Sequence, residues 1–135
     1  MKDGLKPGLH YELTLTVTHD LTISHLGEGV TPVYSTPSLV TGMEEASRRA
    51  LLPYLDAGEE SVGTKVNIQH IAATPLGMAV TIRSTLVEVN GRRCTFDLEA
   101  HDAREKIGDG THERFIIDIA KFAARVEAKK DGVRG

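Results

Sequence analysis

Three polar side chains that can carry out acid–base chemistry lie within otherwise apolar patterns. Thr36 opens a predicted helix, Glu44 projects to the edge of that helix's apolar arc, and His70 lies on the apolar face of a predicted strand. A hydroxyl, a carboxylate and an imidazole in one apolar cleft can activate a nucleophile and transfer protons. We therefore predict that the Glu44 carboxylate and the His70 ring share a cleft near a dimer interface.

Each of these side chains also has a purely structural interpretation. At a helix edge, Glu44 can form an ion pair with Arg48, four residues further on. His70 can be a neutral core imidazole whose N–H is satisfied. Thr36 can be the helix N-cap, followed by Pro37 at the first helical position. The residue patterns alone leave both interpretations open.

Motifs of other reaction classes are missing from the sequence. It has no phosphate-binding glycine loop, no G-x-S-x-G nucleophile elbow and no dinucleotide fingerprint. The six histidines, at positions 10, 19, 25, 70, 101 and 112, form no H-x-H or H-E-x-x-H pair, so we expect no metal site. Cys94 lies on the apolar face of a predicted strand and is expected to be a buried structural thiol. No cofactor is predicted.

The elements that must position these side chains follow from hydrophobic periodicity. Residues 10–18 alternate as a half-buried strand, and residues 18–35 lose the pattern as a loop. A helix begins at Thr36 and ends before Pro53 and Gly58. Its apolar arc contains Leu39, Val40, Met43, Ala46, Ala50 and Leu51.

The second half of the chain predicts strands joined by short turns. They run from Gly63, over residues 78–89 and 92–102, and over residues 110–119, before a short helix at 121–130. Asn90-Gly91 predicts a type I′ hairpin turn, and Cys94, Phe96, Leu98 and Ala100 share one face. This order indicates an α+β fold in which one long helix covers an antiparallel sheet.

Length and composition limit the classes of function. With 135 residues, 40% of them hydrophobic, the chain is expected to form a single domain, residues 1–135. A net charge of -3 argues against nucleic acid as a partner. No stretch resembles a signal peptide or a membrane span, and one cysteine excludes an intrachain disulfide, so we expect a cytoplasmic protein without a membrane partner. A lone sheet with unpaired edges predicts a homodimer.

Several runs of sequence resemble the fluoroacetyl-CoA thioesterase family. They are residues 36–55, 63–64, 70–75, 89–93, 100–102 and 107–114. This resemblance covers most of the chain in register. It implies the hot dog fold, an antiparallel sheet wrapped around a long helix, and a dimer whose two sheets join into one. It also implies an acyl-CoA substrate and thioester hydrolysis without a cofactor.

The resemblance assigns roles to five residues. The family's catalytic threonine, glutamate and histidine fall on Thr36, Glu44 and His70, and its substrate-binding glycine and arginine fall on Gly63 and Arg114. By this resemblance Glu44 supplies or activates the nucleophile, Thr36 positions Glu44 or the substrate, and His70 assists proton transfer. The backbone N–H of Gly63 is the expected oxyanion donor, and Arg114 orders the site or neutralises a substrate group.

One segment departs from the family pattern. The fluoroacetyl-specific member has a longer lid before its catalytic threonine, with a pair of phenylalanines, whereas residues 27–35 here are fewer and contain no phenylalanine. The preferred acyl group therefore stays open. A non-catalytic acyl-CoA or small-molecule binding module is the alternative function. A hydratase or dehydratase would need a different histidine and aspartate pairing, which the predicted helix does not contain.

Overall fold

An antiparallel sheet of five strands wraps around one long helix in the computed structural model, which describes residues 1–134. The elements in chain order are β1 His10–Thr16, β2 Thr22–Ile23, β3 Val33–Tyr34, α1 Thr36–Leu51, β4 Glu59–His70, β5 Ala79–Asn90, β6 Arg93–Asp102, β7 Lys106–Asp118 and α2 Ile119–Arg134. Strand order in the large sheet is β1-β5-β6-β7-β4, and β2 and β3 form a separate two-stranded sheet. The predicted α+β fold is confirmed. None of the described helices is long and apolar enough to cross a bilayer.

The core lies between α1 and the concave face of the sheet. The apolar side of α1 buries Leu39, Met43 and Leu51 completely or almost so, which contributes about 1.5–3 kcal/mol for each side chain. Gly42 permits the close approach of helix and sheet, because a Cβ there would lie 2.5 Å from Cδ1 of Ile82 on β5. The face predicted for β6, with Cys94, Phe96, Leu98 and Ala100, is buried. Burial also raises the pKa of the Cys94 thiol.

Two strands begin earlier than their sequence pattern predicts. β4 starts at Glu59 rather than Gly63, because Glu59 and Glu60 already pair with β7. Their charged side chains form ion pairs with Arg92 and Arg48. β7 starts at Lys106 rather than at residue 110. Gly108 faces the core in β7 but has no apolar side chain, so the alternation of apolar and polar residues is not visible in the sequence there.

Packing explains why position 108 is a glycine. A Cβ there would lie 2.9 Å from the backbone oxygen of Gln69 and 3.1 Å from Cδ2 of Leu39. Glycine is therefore required where α1 crosses β7, and it interrupts the hydrophobic period from which strands are predicted.

The β5–β6 hairpin forms where it was predicted, but with a different turn. Asn90 pairs with Arg93, so the central residues of the turn are Gly91 and Arg92. Gly91 has φ +62°, and no non-glycine residue in the described chain has positive φ. A type I′ turn at Asn90-Gly91 is therefore wrong. A glycine with positive φ at the first central position is typical of type II′.

Candidate functional site

At the start of α1, the residue that caps the helix is not the candidate catalytic threonine. The N-cap is Ser35, whose Oγ accepts a hydrogen bond of 3.1 Å from the backbone N–H of Ser38. Thr36 is thus the first helical residue, and Pro37 follows it in the first turn. The interpretation of Thr36 as the cap is wrong, because Ser35 already satisfies the free N–H group that a cap serves. The Thr36 hydroxyl remains available for another partner.

That partner is His70, at the last position of β4. Oγ1 of Thr36 and Nδ1 of His70 lie 2.8 Å apart. Nε2 of His70 is buried and has no hydrogen-bond partner within residues 1–134. Burial lowers the pKa of His70, opposed by the Ala72 carbonyl, so the ring is neutral at neutral pH. A buried ring nitrogen left unpaired is costly, which makes Nε2 of His70 a candidate contact for a ligand.

A cavity adjoins the Thr36–His70 pair. Its volume is about 430 Å³. Apolar and small side chains from the segment before α1 and the segment after β4 form much of its wall, among them Ile23, Val33, Tyr34, Ala72 and Ala73. The opening therefore offers an apolar surface to a ligand that reaches His70.

Glu44 lies in a second group of polar residues, on the next turns of α1. Its Oε2 is 3.8 Å from Nη1 of Arg114, and a Cβ built on Gly63 would lie 3.4 Å from both atoms. The ion pair proposed with Arg48 is not formed, because Arg48 binds Glu60 and Glu45 instead. The Glu44 side chain is 44% exposed while that of Arg114 is 6% exposed. The half-exposed carboxylate of Glu44 therefore lies beside the buried guanidinium of Arg114.

Arg114 is fixed by residues that the sequence analysis did not single out. Its Nε donates to Oγ of Ser61 and its Nη2 donates to the Ser61 carbonyl, both at 2.8 Å. Nη1 lies 3.3 Å from Nε2 of His112. Burial lowers the pKa of Arg114, opposed first by the Glu44 charge, and the group stays charged. The available signal was the inward alternation of His112, Arg114 and Ile116 on β7, with two polar residues on a core face.

Within this chain, the Thr36–His70 pair lies apart from the group formed by Glu44, Gly63 and Arg114. Along α1, Thr36 and Glu44 are separated by about 12 Å, and along β4, Gly63 and His70 are separated by about 20 Å. No hydrogen bond or ion pair within residues 1–134 joins the two groups. The structure brings Thr36 to His70, and Glu44 to Gly63 and Arg114. The shared cleft for Glu44 and His70 stays a prediction.

Comparison with known proteins identifies the family. The family model described as FlK, fluoroacetyl-CoA-specific thioesterase, matches residues 17–120. A fluoroacetyl-CoA thioesterase from Streptantibioticus cattleyicolor is 40% identical, over 96% of this chain and 97% of that protein. This chain belongs to the fluoroacetyl-CoA-specific thioesterase family.

Solved structures agree with this membership. The fluoroacetyl-CoA thioesterase FlK superimposes with a TM-score of 0.86 at 39% identity, covering 94% of this chain and 98% of that one. A thioesterase superfamily member from Thermus thermophilus gives a TM-score of 0.88 at 31% identity, covering 98% of each chain. The hot dog fold implied by the sequence is thereby confirmed.

Proposed function

We propose that this member of the thioesterase family hydrolyses acyl-CoA to a free acid and CoA, in active sites shared by two protomers. The observation that carries the proposal is the division of the site along β4. Thr36 and His70, with its unpaired Nε2, lie at one end, and Glu44, Gly63 and Arg114 lie at the other. Variants of the related FlK enzyme have been solved with fluoroacetate and CoA and with acetyl-CoA, which supports acyl-CoA as the substrate.

A homodimer would join the two half-sites. Within residues 1–134, β4 is an edge strand with nothing paired beyond it. Val66, which faces the same side of the sheet as the buried His112, is 39% exposed. Antiparallel pairing of β4 with a second copy, about a two-fold axis at Asn67 and with Thr64 bulged out of the register, would place Gly63 opposite the partner's His70. Such a two-fold contact buries the edge strand on both protomers. A cytoplasmic location stays a prediction.

In the proposed reaction, Glu44 attacks the thioester carbonyl or activates a water that does so. The backbone N–H of Gly63 is the proposed donor to the oxyanion that forms. The C–S bond then breaks. In the water route the CoA thiolate takes the proton that the attacking water gave up, and in the direct route it takes a proton from solvent water. In the direct route, water afterwards hydrolyses the acyl–Glu44 anhydride, which restores the carboxylate.

The histidine and threonine serve proton transfer. With Nδ1 of His70 held by Thr36, Nε2 is the ring atom left for the substrate or a water. The neutral ring can accept a proton from water and return it to the leaving thiolate. Arg114 lies 3.8 Å from Glu44 and orients its carboxylate.

The acyl group is expected to be small or moderately bulky and apolar. The segment before Thr36 contains no phenylalanine, and the cavity beside His70 presents Ile23, Val33 and Ala73. The described residues that line this cavity include no phenylalanine gate, although the imidazole of His25 is among them. We therefore expect several short acyl-CoA thioesters to be accepted.

Thiol release from short, branched and aromatic acyl-CoA thioesters tests this proposal. Turnover of at least one substrate at enzymic rates, strongly reduced in Glu44→Gln, is expected. Glu45→Gln is the matched control, because Glu45 is the adjacent carboxylate and forms its ion pairs with Arg48 and Arg49 rather than with Arg114. Binding of acyl-CoA without any thiol release would instead establish the non-catalytic binding module and refute the enzyme.

A further inference from the structure

We propose that His112 is a positioning residue of this enzyme, holding Arg114 against Glu44 and tying the Gly63 segment of β4 to β7. The inference rests on the proposed function. His112 lies on β7 facing the core and is 1% exposed. It reaches no substrate-facing surface itself and acts through its neighbours.

The hydrogen bonds of His112 determine its tautomer. Nε2 faces Nη1 of Arg114 at 3.3 Å, and Nδ1 lies 2.8 Å from the carbonyl of Lys65. A guanidinium only donates hydrogen bonds, so Nε2 must accept. The proton is therefore on Nδ1, which donates to the Lys65 carbonyl. Both ring nitrogens are used, and the ring is neutral.

The surroundings keep His112 neutral. Burial lowers its pKa, and the positive charge of Arg114 acts in the same direction. The Lys65 carbonyl and the carboxylates of Glu44 and Glu113 oppose this shift. A protonated ring would direct an N–H group at the guanidinium and lose the hydrogen bond to Nη1.

One nitrogen of Arg114 connects His112 to the proposed chemistry. Nε and Nη2 are bound by Ser61, while Nη1 lies between Nε2 of His112, Oε2 of Glu44 and the space above Gly63. A carboxylate at position 112 would compete with Glu44 for this charge, and an ammonium would repel it. A neutral imidazole fixes the guanidinium without neutralising it.

The other ring nitrogen acts on the strand that carries Gly63. The β4–β7 register shifts between Gly63 and Lys65, which leaves Thr64 as an extra residue. Bulges of this kind re-aim neighbouring groups beside active sites. His112 holds the Lys65 carbonyl from the inner face, while Oγ1 of Thr64 donates to Oε2 of Glu113 at 2.6 Å. The bulge is thus held by two separate hydrogen bonds.

Two substitutions separate the ring nitrogens of His112. In His112→Gln the amide oxygen can replace Nε2 as the acceptor for Arg114, whereas in His112→Asn the amide nitrogen can replace only the donor to Lys65. We expect His112→Asn to lower kcat/KM about 10- to 100-fold, mainly through kcat, because Glu44 loses its orientation. His112→Gln should recover most of that loss. Melting temperatures of both variants show whether they are folded.

The outcomes distinguish this inference from the proposed function. An active wild-type protein with wild-type kcat in a folded His112→Asn would overturn the positioning role alone. Equal losses of kcat in both variants, matching equal losses of stability, would also overturn it in favour of a packing role against Phe96, whose ring centroid is 6.4 Å away. A wild-type protein that hydrolyses none of the acyl-CoA substrates would refute the proposed function itself.

Discussion

Replacing two adjacent residues at the start of α1 should affect stability and catalysis separately. Ser35 caps the helix and Thr36 contacts His70, although both carry hydroxyl groups and adjoin one another. Ser35→Ala removes the cap, which typically costs about 1 kcal/mol of stability. For a domain of this size that is a fall in melting temperature of about 4 °C.

Thr36→Ala should have the opposite profile. Alanine gains up to about 0.5 kcal/mol of helix propensity, while the lost hydrogen bond to His70 costs about 1 kcal/mol. The net change in stability is therefore about 0.5 kcal/mol, or about 2 °C. The His70 ring is no longer held, and we expect kcat/KM to fall about 10- to 100-fold. Thr36→Ser keeps the hydroxyl and should stay within a few-fold of wild type.

The assay combines thermal unfolding with thiol release at a temperature well below both transitions. Ser35→Ala should show the larger loss of stability and Thr36→Ala the larger loss of rate. The reasoning would be refuted if Thr36→Ala retained full kcat/KM, or if it destabilised the protein more than Ser35→Ala.

Three further predictions follow from the same geometry. Glu44→Gln should lower kcat by about 10²–10⁴-fold with little change in melting temperature, since this side chain is 44% exposed; a rate equal to that of Glu45→Gln would contradict the assigned role. The ratio of kcat/KM for fluoroacetyl-CoA over acetyl-CoA should stay below about 10³, because one small substituent changes binding in an apolar pocket by only about 1–3 kcal/mol. A much larger ratio would show that another part of the chain recognises the fluorine atom. Burial lowers the pKa of His70 and His112 from 6.5. As the pH falls, these two histidines are therefore protonated in the unfolded chain before they are protonated in the folded protein. The free energy of unfolding should be highest above pH 6.5 and decline as the pH falls towards the lowered native values. Urea unfolding between pH 7.5 and about 5 measures this, and His112→Gln should show a shallower decline; an unchanged slope would refute the assignment.

Much of the fold could be predicted because its large elements have regular periods. The alternation along β1, β5 and β6 and the apolar arc of α1 are strong signals. The two-residue strands β2 and β3 are too short to show any period, and their segment was predicted as a loop. Gly108 and the charged start of β4 interrupt the pattern for packing and ion-pairing reasons.

The site was less predictable than the fold, because its contacts join distant parts of the chain. Thr36 and His70 are 34 residues apart, and periodicity could place each on a face but could not pair them. The competing caps Ser35 and Thr36 are equivalent by residue type, and only backbone geometry distinguishes them. His112 was considered only as a metal ligand, since its role depends on Arg114 being buried beside it.

The most direct test of the proposed homodimer and its shared active site mixes two variants, each of which we expect to be inactive. Glu44→Gln and His70→Ala each damage every site of their own homodimers. In a mixed dimer, one site carries both substitutions and the other pairs intact Glu44 of one protomer with the partner's intact His70. After unfolding and refolding an equimolar mixture, half the dimers are mixed and each has one intact site. Thiol release should therefore return to about a quarter of the wild-type rate. A rate no higher than the mean of the two variants would contradict the account, since it would place Glu44 and His70 of one protomer in the same site.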